Sequence, residues 1–296
     1  MVKSRVNIVV STYNGEKYIK EQMDSLLAQD YDNIRIYVRD DESSDNTLKI
    51  LRQYEKQGDI CVIQGKNKGF SASFFNVLEY AKEGEYWAFC DQDDIWFPEK
   101  ISLAVKWLDA QNQNQPLLYY SLSEMFDENG VLGLQEPPKN SLCFRRAMTG
   151  TFGVGFSMVV NKRLRDEMLK CDPDKVHSHD WLAGAIALGF GKIYVEGKIC
   201  ARYRRLETSV TKISFTKKIK WLCSSICDQG DVRERNVEFY RQYKDCLPDK
   251  NRYWSKLFGD ELSLQTQLKK VFYRKRWRPS LSSEVVMRFL MAIGKV

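Results

Sequence analysis

The sequence predicts an α/β fold, a mainly parallel sheet flanked by helices, with a helical C-terminal extension. Two observations carry this. Short apolar runs alternate with amphipathic stretches through the N-terminal third, the pattern of strand-helix-strand units, and the charge balance changes near residue 212. Residues 1–210 hold 27 Lys and Arg against 30 Asp and Glu, whereas residues 211–296 hold 19 against 9, so the excess behind the net charge of +7 sits in the last third. An α/β domain over 1–212 and a basic helical extension over 213–296 are expected.

Residues 6–11 read as the first strand, and 16–29 as a helix with Tyr18, Ile19, Met23, Leu26 and Leu27 along one side. A strand at 34–39, a helix at 45–56 with Leu48, Leu51 and Tyr54 turned inward, a strand at 60–64 and a helix at 71–82 continue the alternation. The run Tyr-Trp-Ala-Phe-Cys at 86–90 is a buried strand that leads directly into acidic residues. After Pro98 a helix is expected at 99–110, closed by the polar stretch before Pro116, and then a strand at 117–121. The Gly, Pro and Asn content of 128–141 predicts an irregular loop, and 150–160 resumes an apolar, glycine-punctuated pattern. Helices are expected at 215–227, 234–243, 262–276 and 283–293.

Composition narrows the class. The eight cysteines are scattered, without the paired spacing of a zinc ribbon, which favours a reduced, cytosolic compartment. The first residues lead straight into a strand pattern, so no leader is expected. No stretch approaches the ~20 apolar residues of a membrane span; the best, 285–293, is short and interrupted by Arg288.

Three strand ends carry polar residues suited to a site. Asp91-Gln92-Asp93-Asp94 follows the 86–90 strand, at the end that faces the ligand crevice in open α/β sheets. Because side chains alternate along an extended segment, Asp91 and Asp93 point one way and can share a divalent cation, with Asp94 pointing elsewhere. Hard carboxylate oxygens suit Mg²⁺ or Mn²⁺, completed by water and a substrate's phosphates. A solvated acidic turn, or a helix cap, is the plain alternative. Asp40-Asp41 ends the 34–39 strand ahead of the turn Glu42-Ser43-Ser44-Asp45, where capping and turn-holding are equally simple readings. Ser11-Thr12-Tyr13-Asn14-Gly15 offers hydroxyls, an aromatic face and a turn at the first strand's end.

Ser11–Asn14, the Asp40–Thr47 run, Asn67-Lys68-Gly69, Asp91–Asp94 and His179-Asp180-Trp181 stand in an order and spacing that resembles the family 2 inverting glycosyltransferases of the GT-A fold, a Rossmann-like architecture. Cys90–Trp96, Cys-Asp-Gln-Asp-Asp-Ile-Trp, looks like the acidic motif of bacterial rhamnosyltransferases that build cell-wall and capsular polysaccharides. The resemblance covers about residues 5–210. It implies that Ser11, Thr12, Tyr13, Asn14, Asp41, Asn67, Gly69 and Gln92 line the nucleotide-sugar site, Asp41 meeting the pyrimidine N–H. It further implies that Asp93 ligates Mn²⁺ or Mg²⁺ directly, that Asp91 assists through water or touches the ribose, and that Asp180 is the general base. The last role has a physical reason, because inverting displacement needs a base on the face opposite the leaving diphosphate. A helix N-cap is the competing reading of Asp180.

There are departures. Glu42 stands where the family turn commonly has Gly, so the loop takes another conformation or sets an extra carboxylate near the nucleotide. Leu206 stands where related sequences carry a histidine after Tyr-Arg, and Arg202, Arg204 and Arg205 are candidates to neutralise diphosphate instead. His177 and His179 could share a metal but lack a third ligand nearby; a binding-site or structural role for His179 is preferred.

In the extension, Lys217, Lys218 and Lys220 with Trp221, and the run 269–278, interleave cations with aromatics, which suits an anionic inner membrane surface better than nucleic acid; helices packed on the first domain with a solvated basic face are the plain alternative. The expected protein is cytoplasmic and peripheral on the membrane. It takes a dTDP- or UDP-sugar donor and a glycan or lipid-linked glycan acceptor, and plausible donors are headed by dTDP-rhamnose. A sugar nucleotidyltransferase or nucleotide-sugar hydrolase with the same acidic cluster, and a non-catalytic glycan- or nucleic-acid-binding module, are the alternatives.

Overall fold

The computed structural model describes residues 3–137, 142–205, 231–260 and 262–296. Four parallel strands form one half of a mixed sheet: β1 (Val6–Thr12), β2 (Ile34–Asp40), β3 (Ile60–Gln64) and β4 (Tyr86–Cys90), in the order β3-β2-β1-β4. Between them run α1 (Ile19–Leu27), α2 (Thr47–Gln57) and α3 (Phe70–Tyr80). Both β1 and β4 are apolar on both faces because helices cover both sides, as parallel sheets require. Side chains alternate accordingly. Val9, Trp87 and Phe89 enter one core layer, while Val6, Ile8, Val10, Tyr86, Ala88 and Cys90 enter the other.

Past β4 the sheet turns mixed. The two-residue β5 (Ile95–Trp96) and α4 (Lys100–Asp109) precede β6 (Leu117–Asp127), which hydrogen-bonds to β7 (Gly130–Gln135). Then follow α5 (Phe144–Ala147), β8 (Met158–Asn161), α6 (Lys162–Met168), α7 (Pro173–Val176), α8 (His179–Phe190) and β9 (Lys192–Arg204). The order continues β4-β8-β6-β9-β5, with β8 antiparallel to both neighbours and β6 parallel to β9.

Several expectations are corrected. The irregular loop expected over 128–141 instead contains β7: Asp127 accepts the Asn129 N–H at 2.8 Å, and Gly130 at φ 125° turns the chain back. The glycine and asparagine that signalled a loop are the chemistry of a hairpin turn. Strand β9 was not anticipated, since its alternation is broken at Gly197, where its pairing with β6 shifts register. The helix expected over 262–276 is α11 (Leu264–Val271), following α9 (Asp231–Tyr243) and the unanticipated α10 (Asp249–Gly259). It stops where Arg288 of α12 (Leu281–Ala292) reaches across to take the carbonyls of Val271 and Tyr273. The helix expected at 215–227, with Lys217, Lys218, Lys220 and Trp221, and the 212/213 boundary all lie outside the described residues.

The change of charge is not a change of core. Phe239, Tyr243, Phe258, Trp277, Met287, Leu290 and Met291 belong to the same buried cluster as Trp87, Phe89 and Trp181. Trp277 sits at the centre of the joint: Thr149 donates to its carbonyl at 3.2 Å, and its ring packs on Trp254, Phe258 and Tyr273. Trp277→Ala is therefore expected to cost about 3–5 kcal/mol and to leave one cooperative transition in urea. Two separate transitions would show that the extension unfolds by itself.

Candidate active site

The C-terminal ends of β1, β2 and β4 put residues 11–15, 40–47 and 91–94 along one edge of the sheet. Side-chain to backbone bonds then tie these loops together. Gln92 both accepts from the Tyr13 N–H at 2.8 Å and donates to the Tyr13 carbonyl at 3.1 Å. This needs close approach: a Cβ on Gly15 would lie 2.6 Å from Gln92 Oε1. Asn14, in the left-handed region at φ 48°, donates its N–H to Ser43 and accepts from the Ser44 N–H at 2.8 Å. Ser11 and Thr12 turn their hydroxyls to Ser73 and Asp40, and the Tyr13 ring is 49% exposed above the crevice.

Asp41 is 3% exposed and occupied. It pairs with buried Arg39 and accepts the N–H groups of Lys68 at 2.9 Å and Gly69 at 3.0 Å. Arg39 in turn bonds Ser73 and the Lys66 carbonyl. In this structure the carboxylate implied to meet a pyrimidine shapes the 66–69 loop, with Asn67 Oδ1 also accepting from the Gly69 N–H. Arg39 and Ser73 are site-shaping residues that sequence reasoning missed; an arginine inside a strand next to Asp40-Asp41 was the available signal.

Glu42 answers the first departure. It takes φ 67°, the conformation glycine favours, and its carboxylate accepts the Asn67 N–H at 3.1 Å. The turn keeps a glycine-type backbone, and the extra carboxylate is spent on the neighbouring loop. A left-handed non-glycine residue costs about 1–2 kcal/mol.

The acidic run is the electrostatic centre. Burial, with repulsion from Asp93 and Asp180, pushes the Asp91 carboxyl up to about 8. Burial raises Asp93 as well, opposed by the Arg204 guanidinium, and holds Asp94 well above the carboxylate range with Asp91 and Asp93 adding repulsion. Asp94 accepts the Arg204 N–H at 3.1 Å, while its second oxygen has no hydrogen-bond partner. Arg204 also donates Nε to the Asp93 carbonyl at 2.8 Å, pairs with Glu21 at 2.5 Å, and lies between the rings of Tyr18 and Phe126. Behind the run, Lys100 is fully buried, donates to Ser121 at 2.9 Å and sits over Trp96 at 4.7 Å; burial lowers its ammonium to about 8. Lysine at a position on the apolar face of α4 was the missed signal.

Desolvated, mutually repelling carboxylates fit a cation. Among the described residues, however, no three His, Cys, Asp or Glu side chains are arranged to enclose one. The set therefore suits an ion completed by phosphate oxygens and water.

Asp180 opens α8 across from this cluster. The cap is Ser178, whose hydroxyl accepts from the Trp181 N–H and donates to Asp180 Oδ1; that oxygen also accepts the Trp181 N–H at 2.6 Å. The Asp180 charge adds to the raising of Asp91, so the two carboxylates stand near each other. His177 and His179 do not share a metal. His177 bonds Glu234 at 2.8 Å, and His179 is buried among Phe70, Phe74 and Phe89, where desolvation lowers it to about 4 and keeps it neutral. Arg202 pairs with Glu124 at 2.5 Å, and Leu206 lies outside the described residues. A cleft of about 920 Å³ between Lys3, Glu85, Asp109 and Lys162 lies at the opposite end of the parallel strands and takes no part in this arrangement.

Comparing Glu42→Gly with Glu42→Ala isolates the backbone strain, since both lose the Asn67 contact. The glycine variant should be the more stable by about 0.5–1 kcal/mol in chemical denaturation. Equal stabilities would show that the turn is not strained.

The geometry has known counterparts. Residues 7–165 match the family model "Glycosyl transferase family 2". The dTDP-rhamnosyl transferase RfbG of Shigella flexneri is 28% identical over 228 residues, which cover 72% of this chain and 78% of that protein. The UDP-Glc:alpha-D-GlcNAc-diphosphoundecaprenol beta-1,3-glucosyltransferase WfgD of Escherichia coli is 26% identical over 73% of this chain and 83% of its own length. Other relatives are matched over less: an uncharacterised glycosyltransferase of Rickettsia felis is 36% identical, but over a fifth (20%) of its length. In fold, TarS 1–349 of S. aureus superposes with a TM-score of 0.59 at 20% identity, covering 98% of this chain and 79% of that one. The mannosyltransferase PcManGT of Pyrobaculum calidifontis, solved with GDP-Man and Mn²⁺, gives 0.57 at 16%, over 99% and 88%. The fold is GT-A, and the chain belongs to glycosyl transferase family 2.

Proposed function

We propose that this chain is an inverting transferase that moves L-rhamnose from dTDP-rhamnose to a growing, lipid-linked cell-surface polysaccharide, at the cytoplasmic face of the membrane. One observation carries the reading: a desolvated acidic pair, Asp91 and Asp93, follows a strand, and a separate carboxylate, Asp180, in the first turn of a helix, lies near enough to Asp91 for its charge to act on it. Transfer with inversion needs that division, one side for the leaving diphosphate and the other for the acceptor. RfbG supports the rhamnosyl donor, and WfgD supports a diphosphate-lipid acceptor while keeping a UDP-sugar as the second donor reading.

Each residue then has a task. Tyr13, exposed at the rim, offers a face on which the base stacks, and the loops holding Asn14, Asn67 and Gly69 border the nucleoside. Asp93, assisted by Asp91, would hold Mn²⁺ or Mg²⁺, which would supply Lewis-acid stabilisation of the departing diphosphate. Arg204 keeps the Asp93–Asp94 backbone in place, and its charge beside Asp93 favours the ionised carboxylate. Ser178 and the Trp181 N–H occupy Asp180 Oδ1, which fixes the rotamer and leaves Oδ2 for the acceptor hydroxyl. As the acceptor oxygen bonds the anomeric carbon and the bond to the diphosphate breaks, Oδ2 takes the hydroxyl proton.

A thermal-shift screen of nucleotide sugars tests the donor: dTDP-rhamnose should stabilise the protein with Mn²⁺ present, and Asp93→Asn should abolish the Mn²⁺-dependent part. Asp180→Asn should keep that stabilisation yet lose about 10²–10⁴-fold in kcat. Near-normal transfer by a folded Asp180→Asn protein would remove the base assignment, and full-rate donor turnover without acceptor would replace transfer by hydrolysis.

A further inference from the structure

The last two helices expose an apolar surface that the catalytic reading does not use. On α11 and its C-cap, Leu264, Leu268 and Phe272 follow one another at four-residue steps, and all are exposed, Phe272 at 77%. On α12 the same spacing places Leu281, Val285, Phe289 and Ile293 in a second exposed row. Four-residue steps keep a row on one helix face. The opposite faces are buried: Lys270 on α11 and Met287, Leu290 and Met291 on α12 turn inward, the three apolar side chains joining the core shared with the sheet. The helices run antiparallel, Arg288 reaching Val271 while a Cβ on Gly294 would touch Leu262. Both rows therefore lie on the outer surface of one hairpin.

Charge says what covers them. Residues 264–293 contain seven Lys and Arg, and their single acidic residue, Glu284, is buried and bonded to the Trp277 and Arg278 N–H groups and to Arg288. Lys269, Arg274, Lys275 and Arg276 are exposed beside the rows. A face used by a second copy of this chain would bring those cations against themselves, whereas lipid phosphates complement them. Among the described residues no helix is long and apolar enough to cross a bilayer, so the contact is a surface one.

We propose that the α11–α12 hairpin docks on an anionic bilayer, its two apolar rows entering the headgroup region and its cations meeting lipid phosphates. This deepens the membrane placement proposed above and moves its main contact from the basic run alone to an amphipathic hairpin. The hairpin is joined firmly to the acceptor side. The Trp277 carbonyl accepts from Thr149, Arg145 donates to the Arg276 carbonyl at 3.0 Å, and Trp181, next to Asp180, donates to the Ala147 carbonyl at 2.7 Å. Docking would hold the crevice in a fixed attitude to lipid-linked acceptors.

The test is flotation of the full chain with vesicles of phosphatidylcholine alone or with one-third phosphatidylglycerol. The chain should float with the anionic vesicles, and Phe272→Ser with Phe289→Ser should weaken partition at least about tenfold. Lys269→Gln with Lys275→Gln should weaken it on anionic vesicles by roughly fivefold or more per cation. Both apolar positions are exposed, so unchanged melting temperatures are expected and check folding. Failure of the wild-type chain to float, or equal flotation of the serine variant, overturns the proposal. So does a dimer in sedimentation that the serine substitutions abolish, which would assign the rows to a second copy. Donor-dependent thermal stabilisation in the same preparations reports separately on the transferase reading.

Discussion

Three carboxylates within four residues at the end of a buried strand repel one another, and the site depends on how Arg204 offsets this. Its backbone N–H goes to Asp94, its Nε to the Asp93 carbonyl, and its charge lies beside Asp93. The guanidinium is held by Glu21 and by rings from Tyr18 and Phe126, so α1, the β4 loop, β6 and β9 all meet at one side chain. Charge-assisted bonds of this kind are among the stronger polar contacts in a protein. Lys100 approaches the same cluster from behind, buried and bonded to Ser121. Burial is the main reason that all three carboxyls remain raised, with repulsion added at Asp91 and Asp94; the charge of Arg204 at Asp93 and of Lys100 at Asp94 offsets only part of it. That residual is the physical invitation to a divalent ion and a diphosphate.

Around this centre the crevice is made of loops that hold one another. Gln92 ties the acidic run to Tyr13, Asn14 ties the first loop to Ser43 and Ser44, and Asp41 with Arg39 ties the second strand end to residues 66–69. These bonds satisfy backbone groups that turns would otherwise leave without partners. Glu42 shows how far the arrangement constrains the chain: it occupies a left-handed backbone position, and its side chain compensates by bonding Asn67. Rigid loops on a parallel sheet place reacting groups with little reorganisation, which is what transfer chemistry needs.

The surroundings of Asp180 are built differently. Asp180 is neither the helix cap nor a loop residue; Ser178 caps α8, and Asp180 in the first turn uses one oxygen on that cap and keeps the other. Beneath it, His179 is held neutral in an aromatic box that only glycine at 155 leaves room for. The same region bonds to the C-terminal helices through Thr149 and Asn236. The extension thus packs against the region that holds Asp180.

The sequence by itself determined the parallel half of the sheet and the strand ends that carry polar residues, because buried strands and their crossover helices write their period into the local pattern. The strands 60–64 and 86–90 coincide with β3 and β4 for that reason. The β6–β7 hairpin and β9 were hidden, since polar, half-exposed strands with register shifts carry a weak alternation. Motif order named Asp91, Asp93 and Asp180, but nothing local could say that residues 89 positions apart stand near enough for one charge to act on the other. Only the tertiary structure decided that, along with the engagement of Asp41 by Arg39 and the clamp at Arg204. It also packed the described part of the basic extension, distinct in charge, into a core shared with the sheet: charge patterning reports what faces water, whereas the core is set by which apolar faces are buried together.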